Sequence, residues 1–151
     1  MKKSFVLAAL LPLAVAAQDI KQELHAELKA QVEFPATVPA GNYSGITWLG
    51  GNEYAVVCDK ARADGFFIFH INIDPDTGVI SHAYNNEFRS SGYANRDMEG
   101  IAFMPKDTTI FISGEGDNSI KEYELKTGKY TGRELNVPDC LSESGTLSSL
   151  P

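Results

Sequence analysis

Basic residues are few in this chain and do not cluster: beyond Lys2-Lys3, no two Lys or Arg are adjacent. There are 13 Lys and Arg against 20 Asp and Glu, a formal net charge of −7. Surfaces that track phosphate backbones need clustered cations, so a nucleic-acid partner is excluded. An acidic surface suits divalent cations, or substrates that arrive carrying them. It equally serves to keep a globular chain soluble. Histidine is scarcer still. His25, His70 and His82 show neither H-x-x-x-H nor H-E-x-x-H spacing, which leaves a zinc site unsupported. Cysteine occurs twice, at Cys58 and Cys140, with no C-x-x-C pair and no framework pattern. Cys58 lies in an apolar run and reads as a small buried residue, with a bridge to Cys140 as the less favoured alternative. A G-x-S-x-G elbow and a Gly-rich phosphate loop before a helix are both missing. The longest apolar run, Phe5 to Ala17, is shorter than the roughly 20 residues a bilayer span needs, so no membrane partner is expected.

That same run makes sense as a leader. Lys2-Lys3 supply the positive start, and Ala14-Val15-Ala16-Ala17 offers the small-x-small pattern of a cleavage site. Residues 1–17 are therefore expected to be a signal peptide, with a mature start near Gln18 and a periplasmic or secreted location. The remaining composition, 43% hydrophobic and 22% charged, is ordinary for a folded domain.

Residues 18–41 are expected to form an N-terminal strand and linker. Leu24, Ala26, Leu28, Ala30, Val32 and Phe34 alternate with polar residues at the strand period, although the composition also tolerates a helix. Pro35 and Pro39 then mark a turn. From residue 42 the text repeats. Ser44-Gly45-Ile46-Thr47-Trp48-Leu49 is echoed by Glu99-Gly100-Ile101-Ala102-Phe103-Met104. Each phrase leads through a turn into a β-branched run ending in an acid, at Asp59 and Glu115. Third strands follow, Gly65 to Ile73 and Ser119 to Leu125, each with a Thr-Gly turn after it, and then fourth strands. Four short strands per repeat predict an all-β fold, an incomplete β-propeller of about two four-stranded blades plus the N-terminal strand. A β-sandwich accounts for the strand spacing but leaves the repeated phrase unexplained. Residues 42–138 hold the blades. Residues 139–151 are Ser-rich and without strand pattern, and are expected to be an unstructured, truncated tail. Because propellers close with about four blades or more, a truncated product is the first expectation and assembly from several chains the second.

Inner strands of such a fold line a channel, so acids at their ends are the candidates for chemistry. Asp97 and Glu99 stand two apart, which in extended chain puts both carboxylates on one face. Such a pair repels unless a cation, a shared proton or solvent relieves it. Asp59 and Glu115 recur at one position of the repeat and are the candidate metal ligands; oxygen donors of this kind suit calcium. Each of the four also reads as a turn-organising or solvated acid. Lys60 and Arg62 could meet an anionic substrate, or simply form salt bridges. Asp74-Pro75-Asp76-Thr77-Gly78 fails the register of a calcium loop and reads as turn chemistry, as does Asp117-Asn118.

Tyr43-Ser44-Gly45-Ile46, Tyr54-Ala55-Val56-Val57-Cys58-Asp59-Lys60, Arg96-Asp97-Met98-Glu99-Gly100-Ile101-Ala102 and Phe111-Ile112-Ser113-Gly114-Glu115 together resemble the exported family called esterase-like activity of phytase, or phytase-like. The resemblance runs from about Asn42 to Pro138. It implies a propeller and hydrolysis of a small anionic phosphoester, with Asp97 and Glu99 catalytic and Asp59 and Glu115 holding calcium. The sequence departs from the family in carrying Cys58 where Ser is commoner, and in lacking a further blade after Pro138. A chain of two blades is accordingly expected to be inactive by itself. The alternative is a non-catalytic propeller that binds a ligand or partner at its channel mouth.

Overall fold

The computed structural model describes residues 26–136. The expected signal peptide, His25, Cys140 and the tail at 139–151 lie outside the described residues. Eight strands follow in order: β1 Tyr43–Gly50, β2 Glu53–Cys58, β3 Gly65–Ile73, β4 Ile80–Ser90, β5 Met98–Met104, β6 Thr109–Gly114, β7 Ser119–Glu124 and β8 Tyr130–Asn136. They form two four-stranded antiparallel meanders, β1-β2-β3-β4 and β5-β6-β7-β8. Among the described residues there is no helix, hence none long and apolar enough to cross a membrane.

The repeated phrase corresponds to a repeated irregularity. In the first sheet the pairing Tyr43↔Cys58 shifts to Gly45↔Val57, so Ser44 is the extra residue of a bulge. In the second, Met98↔Gly114 shifts to Gly100↔Ser113, and Glu99 takes the same place. Beyond each bulge the registers run in parallel, Ile46↔Val56 matching Ile101↔Ile112. The glycine after the bulge has a steric reason in the first sheet. A Cβ on Gly45 would lie 2.7 Å from the Glu99 carbonyl oxygen, because β1 and β5 approach backbone to backbone. Ser44 Oγ reinforces that approach by donating to Met98 O at 2.6 Å.

Both sheets contribute to one core. Ala55, Val57, Phe66 and Ile68 from the first pack with Met98, Ile110, Ile112 and Tyr123 from the second. Each fully buried aliphatic or Phe side chain stabilises by about 1.5–3 kcal/mol, which is what orders two sheets that could not bury both faces alone. β2 is covered on both sides, so Ala55, Val56, Val57 and Cys58 are buried in succession. The run looked uniformly apolar for that reason. The turns are built by side chains. Asp74 Oδ1 accepts from the backbone N of Asp76 and Thr77 and from Thr77 Oγ1, at 3.0, 2.7 and 2.8 Å. Those bonds, with Thr77 foremost, hold its carboxyl below the usual range. Thr127 and Glu124 build the counterpart turn, with Thr127 Oγ1 donating to Glu124 Oε2 at 2.7 Å.

The N-terminal segment departs from expectation. Residues 26–34 form no strand, and Leu28 and Val32 are 98% and 49% exposed. Alternation marks an amphipathic strand only where a sheet edge is free to pair with it, and this stretch pairs with none. Backbone bonding to the sheet begins at the turn over 35–38, where Thr37 O accepts from Asn85 N at 3.0 Å beside edge strand β4. His82 packs edge-on against Phe34, and His70 stacks on Tyr84, so both described histidines serve packing.

Candidate functional site

One end of the two sheets gathers the charged loops: the β2–β3 turn, the entry to β5 and the β6–β7 turn. Asp59 follows β2 and its backbone N donates to Asn42 O at 2.9 Å. Glu115 follows β6 and donates in the same way to Asp97 O at 2.9 Å. Asn42 and Asp97 each stand just ahead of the first strand of a sheet, so Asp59 and Glu115 occupy equivalent positions. Asp97 is not part of β5. It sits one residue before the strand at φ 50, a left-handed conformation that Asp tolerates better than most residues. With Glu99 displaced by the bulge, the pair does not share the face of a flat strand; the same-face expectation for the two is corrected here. Glu99 and Glu115 are exposed, and neither side chain makes a hydrogen bond among the described residues.

Lys60 brings Asp59 and Asp97 together. Its Nζ lies 2.8 Å from Asp59 Oδ1 and 3.3 Å from Asp97 Oδ1. The bonds to Asp59 and then Asp97 raise the ammonium above its ordinary value. Asn95 stitches the same loops, its amide donating to Asp59 O at 2.8 Å and also to Ala61 O, while its Oδ1 accepts from Asp97 N. On the other side of Lys60 a cleft of ≈ 490 Å³ opens, lined by Asn42, Tyr43, Cys58, Arg62 and Phe88 among others. Two cations thus border a mainly apolar hollow that Asn42 and Asn85 also line, with acids behind them.

The residues fit calcium poorly. Among the described residues no three His, Cys, Asp or Glu side chains gather as a ligand set. The Lys60 ammonium stands where a cation between Asp59 and Asp97 would have to go.

A second charged group, one residue from Asp97, has no sequence-level forecast. Arg96 is 8% exposed. Its Nε donates to Asp64 Oδ1 at 3.3 Å, one terminal nitrogen to Asp117 Oδ1 at 2.7 Å, and the other to Ile112 O and Tyr123 Oη at 3.1 and 3.0 Å. Tyr123 Oη in turn donates to Asp64 Oδ2 at 2.7 Å. Burial works against the guanidinium, but Tyr123, Asp64 and Asp117 outweigh it and raise its value. Tyr123 is pushed far up, chiefly by burial and then by its bond to Asp64. Burial opposes the Asp117 charge as well, yet bonds from Lys121 and Ser119 and the nearby Arg96 leave its carboxyl low. This network ties the loop of the first sheet to β6 and β7 of the second and fixes the backbone from which Asp97 projects. Arg96 and Asp64 are 32 residues apart and Tyr123 and Asp64 are 59 apart, so no local spacing could reveal it.

Comparison with curated proteins finds no match for the chain. A family model described as "Phytase-like: Esterase-like activity of phytase" matches residues 38–148. That span takes in both sheets and the acids at their shared end, and the chain belongs to the phytase-like family.

Proposed function

We propose that this chain is an exported propeller protein acting on a small phosphoester, its two sheets being propeller blades and their charged end the channel mouth. The observation that carries the reading is Lys60: it stands between an apolar cleft and the acids Asp59 and Asp97. A phosphate at the cleft rim would meet Lys60 and Arg62 as counter-charges. Water beside it would be within the domain of Asp97 and Glu99, which take the roles of general base and acid. An acidic end repels a bare polyanion, so the substrate form that suits it is one whose charge a divalent cation of its own already partly neutralises.

The test is hydrolysis of a phosphomonoester panel with calcium or with a chelator. Turnover that needs calcium and falls at least tenfold in Glu99→Gln supports the reading. Lys60 also favours a second one, because an ammonium that already neutralises both acids leaves neither free as a base. Under that reading the mouth binds a ligand without turnover. Calcium-dependent binding of the same esters, weakened by Glu99→Ala and with no product formed, would select it. Neither binding nor turnover removes both.

A further inference from the structure

Among the described residues, the packing of the two sheets leaves one knob and one socket uncovered. At the internal interface Ile101 and Phe103 of β5 pack on the shared core. The registers make Ile46 and Trp48 their counterparts, Ile46 opposite Val56 as Ile101 is opposite Ile112, and Trp48 opposite Tyr54 as Phe103 is opposite Ile110. Yet Ile46 is 56% exposed and Trp48 61%. The indole is not loose, since its Nε1 donates to Gly51 O at 2.9 Å. An aromatic held in place before contact loses little freedom on binding, which is how interface anchors contribute most. The outer part of that face is bordered by residues 31–43 next to Ile71, Ile80 and Ala83, so the opening is confined to the inner strand.

The socket lies at the far side of the second sheet. The first sheet receives β5 on Ala55, Val57, Phe66 and Ile68. The counterparts in the second are Phe111, Ser113, Ile120 and Glu122. Leu135, opposite Ile120 and 60% exposed, extends this face beside a cleft of ≈ 430 Å³. Glu122 brings no unpaired charge to it. Thr109 and Thr131 hydroxyls donate to its carboxylate at 3.0 and 2.8 Å, and Arg133 Nε lies at 3.3 Å. The face can therefore be covered without stranding an ion.

We propose that a second copy of this chain docks head to tail, its Ile46–Trp48 edge entering the Phe111–Leu135 face of the first. The occupant follows from the repeat. Knob and socket are the outer halves of an interface that the molecule already makes once internally, and each copy carries both. Such a heterologous contact closes into a ring when the rotation permits.

Sedimentation over a wide dilution series tests this. The unaltered chain should show a mass above one chain that falls to one on dilution. Trp48→Asp and Leu135→Asp should each sediment as single chains, and an equimolar mixture of the two should associate again, because each keeps the complement of what the other lost. Trp48 is the only tryptophan, so its emission should shift to the blue with association in the unaltered protein, with no substitution needed. A single chain at every concentration overturns the proposal. So does an assembly that survives Trp48→Asp, one that survives Leu135→Asp, or one that forms with no change in emission.

Discussion

Arg96 and Lys60 each stand between two acids in loops at the same end of the molecule, and they do different work. The Arg96 side chain is 8% exposed and its partner Asp64 is 2% exposed. The Lys60 side chain is 63% exposed, and that of Asp97 is 51%. Buried ions must be fully paired to be tolerated, so every polar atom of the Arg96 group has a fixed neighbour and the two sheets are held in one relation. Exposed pairs are screened and weak, so the Lys60 group can exchange partners when a ligand arrives. Burial, then, separates the scaffold from the responsive site, although both are made of the same residue types.

The comparison can be broken most readily at Arg96. Arg96→Ala strands Asp64 and Tyr123 in the interface and should cost about 3–5 kcal/mol, read from urea denaturation. Gly45→Ala comes next, at about 1–3 kcal/mol, because the new Cβ meets backbone that cannot step aside. At Gly100 the obstacle is the Ser113 hydroxyl at 2.7 Å, so Ser113→Ala should rescue Gly100→Ala, whereas no side-chain change should rescue Gly45→Ala. Tyr123→Phe removes one partner from Asp64 and should cost about 1–2 kcal/mol. It should also alter the alkaline limb. The folded pKa of Tyr123 is raised, so the folded state holds its proton above the usual tyrosine range, near 10, where the unfolded chain releases it. Stability is thus retained below that range and falls as pH rises through it, and Tyr123→Phe should flatten the fall. The smallest effect is expected from Lys60→Met, which should leave the denaturation midpoint unchanged while altering ester or calcium binding. A large stability loss there would erase the distinction between the two groups.

The strands and their repeat were legible in the sequence because each rests on local pattern. The bulge, the glycine and the isoleucine after it form a phrase of adjacent residues, and the Thr-Gly turns are equally local. The equivalence of Asp59 and Glu115 could be read from the same alignment of the chain with itself. The segment before Pro35 could not be read correctly, since alternation records amphipathicity and not whether a sheet edge is free to receive it. Asp97 stands ahead of β5 in a left-handed conformation and Glu99 is displaced by the bulge, and the spacing could show neither. Lys60 was visible only as one of two nearby cations, because Asp97 is 37 residues away. Asp64, Arg96 and Tyr123 are dispersed along the chain, and only the packing of one sheet on the other joins them.

The paired bulges have a consequence for how this fold can vary. Each copy contains one extra residue whose identity is not dictated by the ladder, and the two slots are filled differently. Serine in the first fastens the neighbouring strand, while glutamate in the second is left to the solvent. A backbone that keeps its frame while one position per unit changes from fastener to ionisable group can acquire new chemistry unit by unit, without re-specifying the architecture that carries it.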